Sequence, residues 1–255
     1  MTATALEMTQ VDHLVLSPHA DDAVWSVGGR LARWRLDGES CTVVTIFDGD
    51  VSAAQDLPDD GWRSIAEPSL RRREDLAALR RLDCHLVSLG LPDAALRTSG
   101  AGADARPRYR SARRLFGPIH PDDEALTERL REALAPHLAT ADQVHVPLAA
   151  GHHVDHRLVR TAVTNLLPAA RARWYEDFPY LLDPRDHEGL RPVVEPLDAT
   201  HVQCWAEAAA EYESQAEALL GSTARLRGEV WARAAEHGRS AGVLVADRHW
   251  QSISA

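Results

Sequence analysis

The chain contains no lysine, and all 28 of its basic residues are arginine. Chemistry that depends on a lysine nucleophile or on a lysine Schiff base is therefore excluded. The 38 acidic residues outnumber the basic ones and give a formal net charge of −10. A negative field of this size disfavours association with polyanions, so we expect neither nucleic acid nor an anionic membrane as a partner.

Cysteine is scarce, and long apolar runs are absent. The three cysteines (Cys41, Cys84 and Cys204) show no CxxC spacing, which excludes a disulfide framework and predicts buried thiols in a reducing compartment. Residues 1–10 lack the basic start and apolar core of a signal peptide. No apolar run reaches the roughly 20 residues that a bilayer-spanning helix needs. These absences predict a cytoplasmic protein.

The length and the hydrophobic pattern predict one α/β domain that covers residues 1–255. Of these residues, 45% are hydrophobic, which is enough for one sizeable core. Short apolar runs, which are typical of buried strands, alternate along the chain with patterns typical of helices. This alternation predicts a Rossmann-like, mostly parallel sheet flanked by helices. Strands are predicted at 13–16, 41–47, 85–89, 144–148, 171–176, 192–196 and 243–246. Helices are predicted at 23–36, 69–82, 122–138, 157–167, 202–219 and 228–237.

A cluster of polar side chains follows the first predicted strand. His19, Asp21 and Asp22 come directly after Pro18, which cannot continue a strand ladder, and a helix begins at about Ala23. The cluster therefore lies at the carboxyl end of a strand, where α/β folds bind ligands. Alternatively, the aspartates cap the helix and the histidine is an ordinary turn residue. This segment alone leaves both interpretations open.

A second cluster, GHHVDH at 151–156, follows the strand predicted at 144–148 and opens another helix. The carboxyl ends of parallel strands lie on one edge of a sheet, so the two clusters can converge there. Their convergence would place histidine and aspartate side chains from two distant segments around one point. The second cluster therefore favours a functional site over simple helix capping.

Three residues of the two clusters make a ligand set for one metal ion. His19, Asp22 and His156 offer two nitrogens and one oxygen, and they leave a position open for water, as a catalytic zinc site requires. Asp21 would then be free to accept a proton. His153 would be near enough to face the same water or the substrate.

Both clusters resemble the motifs of the PIG-L/LmbE-like family of zinc-dependent N-deacetylases. The family's (P/A)HPDD motif corresponds to PHADD at 18–22, and its HxDH motif corresponds to HVDH at 153–156. The resemblance covers nearly the whole chain. Further matches are TIFDGD at 45–50, RRRE at 71–74, LGLPD at 89–93, YEDFPY at 175–180, YESQ at 212–215 and ADRHW at 246–250.

The resemblance implies a metal-dependent hydrolase that removes an N-acetyl or other N-acyl group from an amino sugar or a glycosylated small molecule. It implies Zn²⁺ as the cofactor, with another divalent ion such as Fe²⁺ as an alternative. A place in thiol-cofactor assembly or natural-product biosynthesis fits by analogy with the family. The expected binding partner is then a small N-acetylated molecule. The sequence is compatible with a homo-oligomer.

The resemblance also implies catalytic roles for three residues. Asp21 would act as general base, and a protonated His153 would stabilise the oxyanion together with the metal. Asp155 would hydrogen-bond a histidine, with His153 as the expected partner, and so fix its tautomer. Substrate contacts are implied for Asp50, Arg71 and Asp93.

The sequence departs from the family pattern at three positions. Ala20 replaces the usual proline, which leaves the ligand spacing intact. Gly151 stands where some members carry a tyrosine that polarises the substrate carbonyl, and Ala208 stands where a lysine is usual. The loops at 51–68 and 91–120, which we expect to form the pocket walls, do not identify the substrate.

Four other functions are compatible with parts of the sequence or are excluded by it. An amidase of thiol–sugar conjugates would use the same residues, and so would a metal-binding relative without catalysis, although an intact Asp21 and His153 argue against the latter. A nucleotide-binding site at Gly28 and Gly29 is disfavoured because no GxGxxG motif is present. A zincin is excluded because the chain has no HExxH motif.

Overall fold

A seven-stranded sheet forms the centre of the computed structural model, which describes residues 9–50, 66–100 and 104–253. In chain order the strands are β1 (Val11–Ser17), β2 (Cys41–Thr45), β3 (His85–Ser88), β4 (Thr98–Ser99), β5 (Arg106–Pro107), β6 (Ala141–Pro147), β7 (Ala172–Tyr175), β8 (Leu190–Pro196) and β9 (Ala246–Ser252). The sheet has the order β3-β2-β1-β6-β7-β9-β8, and β4 pairs with β5 separately.

Five neighbouring strands of the sheet run parallel, as predicted, and β9 is antiparallel to both of its neighbours. From β1 the chain proceeds outward to β2 and β3, and it then returns to the other side of β1 at β6. The strand order therefore reverses between β1 and β6. The crevice beyond the carboxyl ends of these two strands is the topological switch point, where open α/β sheets bind ligands.

Helices cover both faces of the sheet. They are α1 (Asp22–Asp37), α2 (Pro68–Arg81), α3 (Ala112–Leu115), α4 (Leu126–Ala139), α5 (Val154–Thr164), α6 (Ala199–Ala209), α7 (Glu213–Leu220) and α8 (Thr223–Ala241). Residues of α1, α2 and α6 to α8 form the core on one face, and those of α4 and α5 form the core on the other. Within the described ranges, no helix combines the length and apolarity needed to cross a membrane.

The central strands supply side chains to both cores in alternation. Val15 and Val43 face the core of α1, whereas Leu14, Leu16 and Val144 face the core of α4 and α5. All five side chains are buried. Because both faces are covered, these strands read in the sequence as continuous apolar runs rather than as alternating patterns.

Several predicted element boundaries are wrong. The helix predicted at 202–219 is two helices, α6 and α7, because the chain turns at 210–212, where the Tyr212 hydroxyl donates a hydrogen bond to Asp75. The loop predicted at 91–120 contains β4, β5 and α3. Residues 51–65, most of the other predicted pocket wall, lie outside the described residues.

The strand predicted at 243–246 is β9, which runs instead from Ala246 to Ser252. Its sequence ADRHWQS is polar because Asp247 pairs with the buried Arg30 and His249 with the half-buried Glu195, and this polarity hid most of the strand. The helix predicted to begin at Arg157 begins at Val154. The second histidine–aspartate cluster therefore continues into the first turn of α5, rather than remaining in a loop.

Candidate metal centre and active site

The turn between β1 and α1 is held by local hydrogen bonds that orient its polar side chains. The Ser17 hydroxyl donates to the His19 carbonyl and accepts the backbone N–H of Ala23. The His19 backbone N–H donates to Asp22 Oδ2 at 2.8 Å. These bonds fold the PHADD segment over the end of β1, directly beside the segment that follows β6.

Three donor atoms from the two clusters form a nearly equilateral triangle. His19 Nδ1 lies 3.2 Å from Asp22 Oδ2, and His156 Nε2 lies 3.3 Å from both of these atoms. Tetrahedral ligands at the usual zinc distances of about 2.0–2.1 Å are separated by about 3.3 Å. The triangle therefore has the dimensions of three ligands of one tetrahedral metal ion.

Two other groups of donors lie near the triangle. His153 offers a nitrogen within 4.8 Å of donors on His19 and His156, and His19, Asp93 and Asp155 form a second set of this size. Both sets are looser than the triangle. Each includes His19, so the described residues place one possible metal centre around that side chain.

The outer nitrogens of both histidines in the triangle contact buried carboxylates. Asp177 Oδ1 lies 2.6 Å from His156 Nδ1, and Asp155 Oδ2 lies 3.1 Å from His19 Nε2. A carboxylate on the far side of a metal-binding imidazole fixes the ring orientation and raises its basicity. Asp155 was expected to pair with His153, and this is wrong, because its carboxylate lies between His19 and Arg97.

Negative charge predominates around the triangle. Five buried carboxylates face two buried guanidiniums, those of Arg71 and Arg97; the carboxylates are Asp21, Asp22, Asp93, Asp155 and Asp177. Although burial opposes protonation of His19, Asp93 and Asp155 raise its pKa to about 9. Likewise, Asp22 and Asp177 hold the pKa of His156 well above its ordinary value. A divalent cation would balance the same excess of carboxylate charge without these protons.

Arg71 connects two of the predicted site residues. Its guanidinium donates to Asp21 Oδ1 at 2.8 Å and to Asp93 Oδ2 at 3.2 Å, and all three side chains are buried in the cavity wall. Asp93 also lies 3.6 Å from His19 Nε2. Asp50, in contrast, is exposed and pairs with Arg72 at 2.8 Å. The structure thus brings Arg71 and Asp93 to the cavity beside the donor triangle, while Asp50 is not among the residues that line this cavity.

The surroundings of His153 favour its neutral imidazole. Burial and the neighbouring His19 lower the pKa of His153 well below its ordinary value, which disfavours the protonated ring that the family resemblance implies. The backbone N–H of Asp155 donates to His153 Nδ1 at 3.3 Å. This hydrogen bond assigns the ring proton to Nε2, so His153 presents an N–H donor to the cavity it lines.

Sequence reasoning missed two residues that support the site. Asp177 holds His156 and also accepts the backbone N–H of Ala150 at 2.9 Å. Arg97 donates to Asp155 Oδ1 at 2.6 Å. Asp177 follows β7, whose carboxyl end lies on the same edge of the sheet as those of β1 and β6, so its position in the sequence could have identified it as a site residue. Arg97 lies in the irregular segment after Asp93, and nothing in its sequence position pointed to the site.

The cavity above the triangle has a volume of about 150 Å³ and is largely aromatic and aliphatic. Tyr180 lines it and packs on Gly151, where an added Cβ would lie 2.6 Å from the Tyr180 ring. Gly151 also has a φ of 74°, which a larger residue would adopt only with strain. The Tyr180 ring therefore fills the space beside Gly151, the position at which some family members carry a tyrosine.

The sequence was also compared with known protein families and proteins. The sequence model of the PIG-L family, described as GlcNAc-PI de-N-acetylase, matches residues 14–167, more than half of the chain. Two relatives are named 2'-N-acetylparomamine deacetylase. The one from Streptomyces fradiae is 34% identical over 172 residues, which cover 66% of this chain but only 57% of the relative. The one from Niallia circulans is 27% identical over 236 residues, which cover 84% of each.

Comparison with solved structures finds the same architecture. The deacetylase of the A40926 pseudoaglycone matches with a TM-score of 0.69 and 26% identity, over 96% of this chain and 99% of that one. A complex of a deacetylase from the biosynthesis pathway of teicoplanin matches with a TM-score of 0.72 and 24% identity, over 96% of this chain and 100% of that one. This chain therefore shares its fold, a mostly parallel sheet with helices on both faces, with both solved structures.

Proposed function

The chain belongs to the PIG-L family, and from that premise we propose that it is a metal-dependent hydrolase that removes the N-acetyl group from an amino sugar of a natural product. The names of its relatives support this substrate class. The observation that carries the proposal is the donor triangle, which lies beside the Arg71-bound carboxylate of Asp21 at the switch point of the sheet.

We assign His19, Asp22 and His156 as the ligands and Zn²⁺ as the ion. Two imidazoles and one carboxylate with an open position suit catalytic zinc, although Fe²⁺ accepts similar ligands. When bound, the ion supplies Lewis acidity, which polarises an amide carbonyl and makes water a stronger acid. Asp155 and Asp177 keep the two imidazoles in the orientation that ligation requires.

Asp21 acts as the general base. Arg71 holds its carboxylate beside the triangle without occupying the second oxygen, so that oxygen is available to take a proton from the attacking water. Water adds to the amide carbon, the carbon–nitrogen bond breaks, and the proton returns to the departing amine. Acetate and a free amino sugar are the products.

Two neutral donors face the carbonyl oxygen as it gains negative charge. His153 presents its Nε2–H, and the Tyr180 hydroxyl, which makes no hydrogen bond with any residue of the described part of the chain, lines the same cavity. Donors that are already oriented stabilise an oxyanion without further reorganisation. Tyr180 thus takes the role of the carbonyl-polarising tyrosine that some family members carry at the position of Gly151.

Acetate release tests this proposal. Zinc-loaded protein and an Asp21→Asn variant are incubated with N-acetylglucosaminyl and N-acetylated aminoglycoside compounds, and an Asp142→Asn variant at an exposed site serves as control. We expect release by the wild type and the control, and a loss of about 10²–10⁴-fold in Asp21→Asn, because the amide cannot accept the proton. Metal content is measured in parallel and should stay unchanged.

Two outcomes would contradict the proposal. Near-normal turnover by metal-loaded Asp21→Asn would remove the assigned role of Asp21. Failure of the metal-loaded wild type on every compound, including those that match the relatives' names, would favour a metal-binding relative that has lost catalysis.

A further inference from the structure

Two of the three cysteines lie side by side at the end of the sheet opposite to the active site. Cys41 is the first residue of β2, and Cys84 directly precedes β3. The parallel register pairs Thr42 with His85, so the preceding residues Cys41 and Cys84 are neighbours across the two strands. Both thiols pack against the core that contains α1, which places them on the same face.

The spacing of the two residues suits a covalent bond between them. Neighbouring strands lie about 4.8 Å apart, which falls within the Cα separation of about 4.4–6.8 Å found in disulfides. Cys84 is not itself a strand residue, and it follows Asp83, whose φ is 53°. Its backbone N–H donates to the Leu79 carbonyl at 3.0 Å, so Cys84 is held at the start of β3 beside Cys41.

We propose that Cys41 and Cys84 form a reversible disulfide when a peroxide oxidises the protein. Cys41 is buried, whereas Cys84 is only half-buried. A small oxidant can therefore reach the pair through Cys84. Cys204 lies on α6 and is not a strand neighbour of either cysteine, so it should remain a thiol.

The two sulfurs have different roles in the reaction. A hydrogen bond with Cys84, followed by burial, raises the pKa of Cys41 well above its ordinary value, so Cys41 keeps its proton. The more exposed Cys84 therefore attacks the peroxide first and becomes a sulfenic acid, with release of one water. Cys41 then attacks that sulfur as its own proton passes to the sulfenic hydroxyl, which leaves as a second water. The two thiols lose two hydrogen atoms in total, and the peroxide is reduced to two waters.

The bond would join the ends of the segment between the two cysteines. This segment carries β2 and α2, and α2 carries Arg71, which holds Asp21. Closing so long a loop restricts the unfolded chain and favours the folded protein. The oxidised protein should therefore unfold at a higher temperature than the reduced one, by several degrees.

Thiol titration in denaturant, before and after treatment with hydrogen peroxide, tests the proposal. We expect three titratable thiols to fall to one, and peptide mapping should find a linked Cys41–Cys84 pair. A thiol reductant should restore all three thiols and reverse the rise in unfolding temperature. The control Cys204→Ser should go from two thiols to none. Cys84→Ser, which spares the buried Cys41, should form no intramolecular bond and show no rise in unfolding temperature.

Three results would overturn the proposal. They are the retention of all three thiols, a bond that includes Cys204, and a disulfide that links two chains. Because the thiol count is taken in denaturant, a variant that folds poorly would still give a valid count.

Discussion

At the residue scale, the position of Arg71 depends on neighbours that are distant in the sequence. An arginine in the first turn of a helix is disfavoured by the helix dipole, and the RRRE pattern at 71–74 is more typical of a solvated face. Arg71 is nevertheless buried, because Asp21 and Asp93 both accept hydrogen bonds from it. It therefore fixes the geometry of Asp21 as well as lining the cavity.

Replacing Tyr180 by phenylalanine tests the proposed role of its hydroxyl. We expect Tyr180→Phe to lower kcat by about tenfold to a hundredfold with little change in KM, because the hydroxyl acts mainly on the charge that develops during the reaction. The ring stays in place against Gly151, so the fold should be unaffected. Steady-state kinetics on the best substrate of the acetate-release panel measure both constants.

The matched control for this experiment is Tyr109→Phe. The Tyr109 hydroxyl donates to Asp123 and accepts the backbone N–H of His120, outside the cavity. Its loss should lower stability and leave kcat unchanged. An equal effect of both variants on kcat would show that Tyr180 acts through the structure rather than on the substrate.

The sequence predicted the residues of the donor triangle because they lie in two compact motifs at the ends of two readable strands. Asp177, Arg97 and Tyr180 were missed for a different reason. Their contribution depends on which strands are neighbours and on how irregular segments fold back over the sheet, and local spacing does not encode either. The partner of Asp155 was wrong for the same reason, since His19 is distant in the sequence and adjacent in space.

At the scale of elements, the packing of α1 against α6 explains the two adjacent glycines. A Cβ at Gly28 would overlap the ring of Trp205, whose Nε1 donates to the Val24 carbonyl at 2.7 Å and so holds the ring in place. Gly28 and Gly29 lie inside α1. They therefore serve a close helix contact and not the phosphate loop that a nucleotide-binding site would need.

Gly28→Ala should destabilise the protein by about 1–3 kcal/mol, because the overlap with Trp205 outweighs the better helix propensity of alanine. Gly228→Ala is the matched control, since this glycine also lies inside a helix, α8, but has open space around it. It should raise stability by up to about 1 kcal/mol. Urea unfolding measures both variants, and a stabilised Gly28→Ala would contradict the packing argument.

Asp75 joins three elements and should make stability depend on pH. It accepts hydrogen bonds from Thr45 at the end of β2 and from Tyr212 before α7, and burial raises its pKa to about 7. The unfolded carboxyl has a pKa of about 3.9. Between these values the folded protein binds the proton and the unfolded chain does not, so stability falls as pH rises, by roughly 1.4 kcal/mol per pH unit for this group.

Asp75→Asn should remove this contribution, since the amide does not titrate. Urea midpoints at pH 5 and pH 7 should therefore fall less in the variant than in the wild type. The exposed Asp142→Asn should follow the wild type. Parallel pH profiles for Asp75→Asn and the wild type would show that Asp75 is already ionised in the fold.

Strands and helices were predicted correctly where the apolar residues followed one clear pattern. The prediction failed where buried polar residues stood in place of apolar ones. The central strands were found because both of their faces are covered, so they are continuously apolar. Most of β9 was missed, although a strand was predicted at 243–246, because Asp247 pairs with the buried Arg30 and His249 pairs with Glu195. The break between α6 and α7 was missed because the apolar period continues across 210–212 while the backbone turns there.

At the scale of the whole molecule, the excess of buried carboxylates links the metal to stability. In the fold these groups converge at the switch point, where the ends of β1, β6 and β7 lie together. In the unfolded chain they separate and are hydrated. A divalent cation that binds only the folded arrangement therefore stabilises the whole protein by mass action.

Removal of the metal should consequently lower the unfolding temperature. With zinc at about 100 times its Kd, binding contributes about 2.7 kcal/mol, which for a chain of this size corresponds to about 5–10 °C. A chelator should remove this increment, and added Zn²⁺ should restore it. Asp21→Asn should show the full zinc-dependent shift, because Asp21 is not one of the proposed ligands, whereas Asp22→Asn should lose most of it. The opposite pattern, with the shift lost in Asp21→Asn and kept in Asp22→Asn, would show that the ion binds elsewhere in the cavity and that the donor triangle does not hold it.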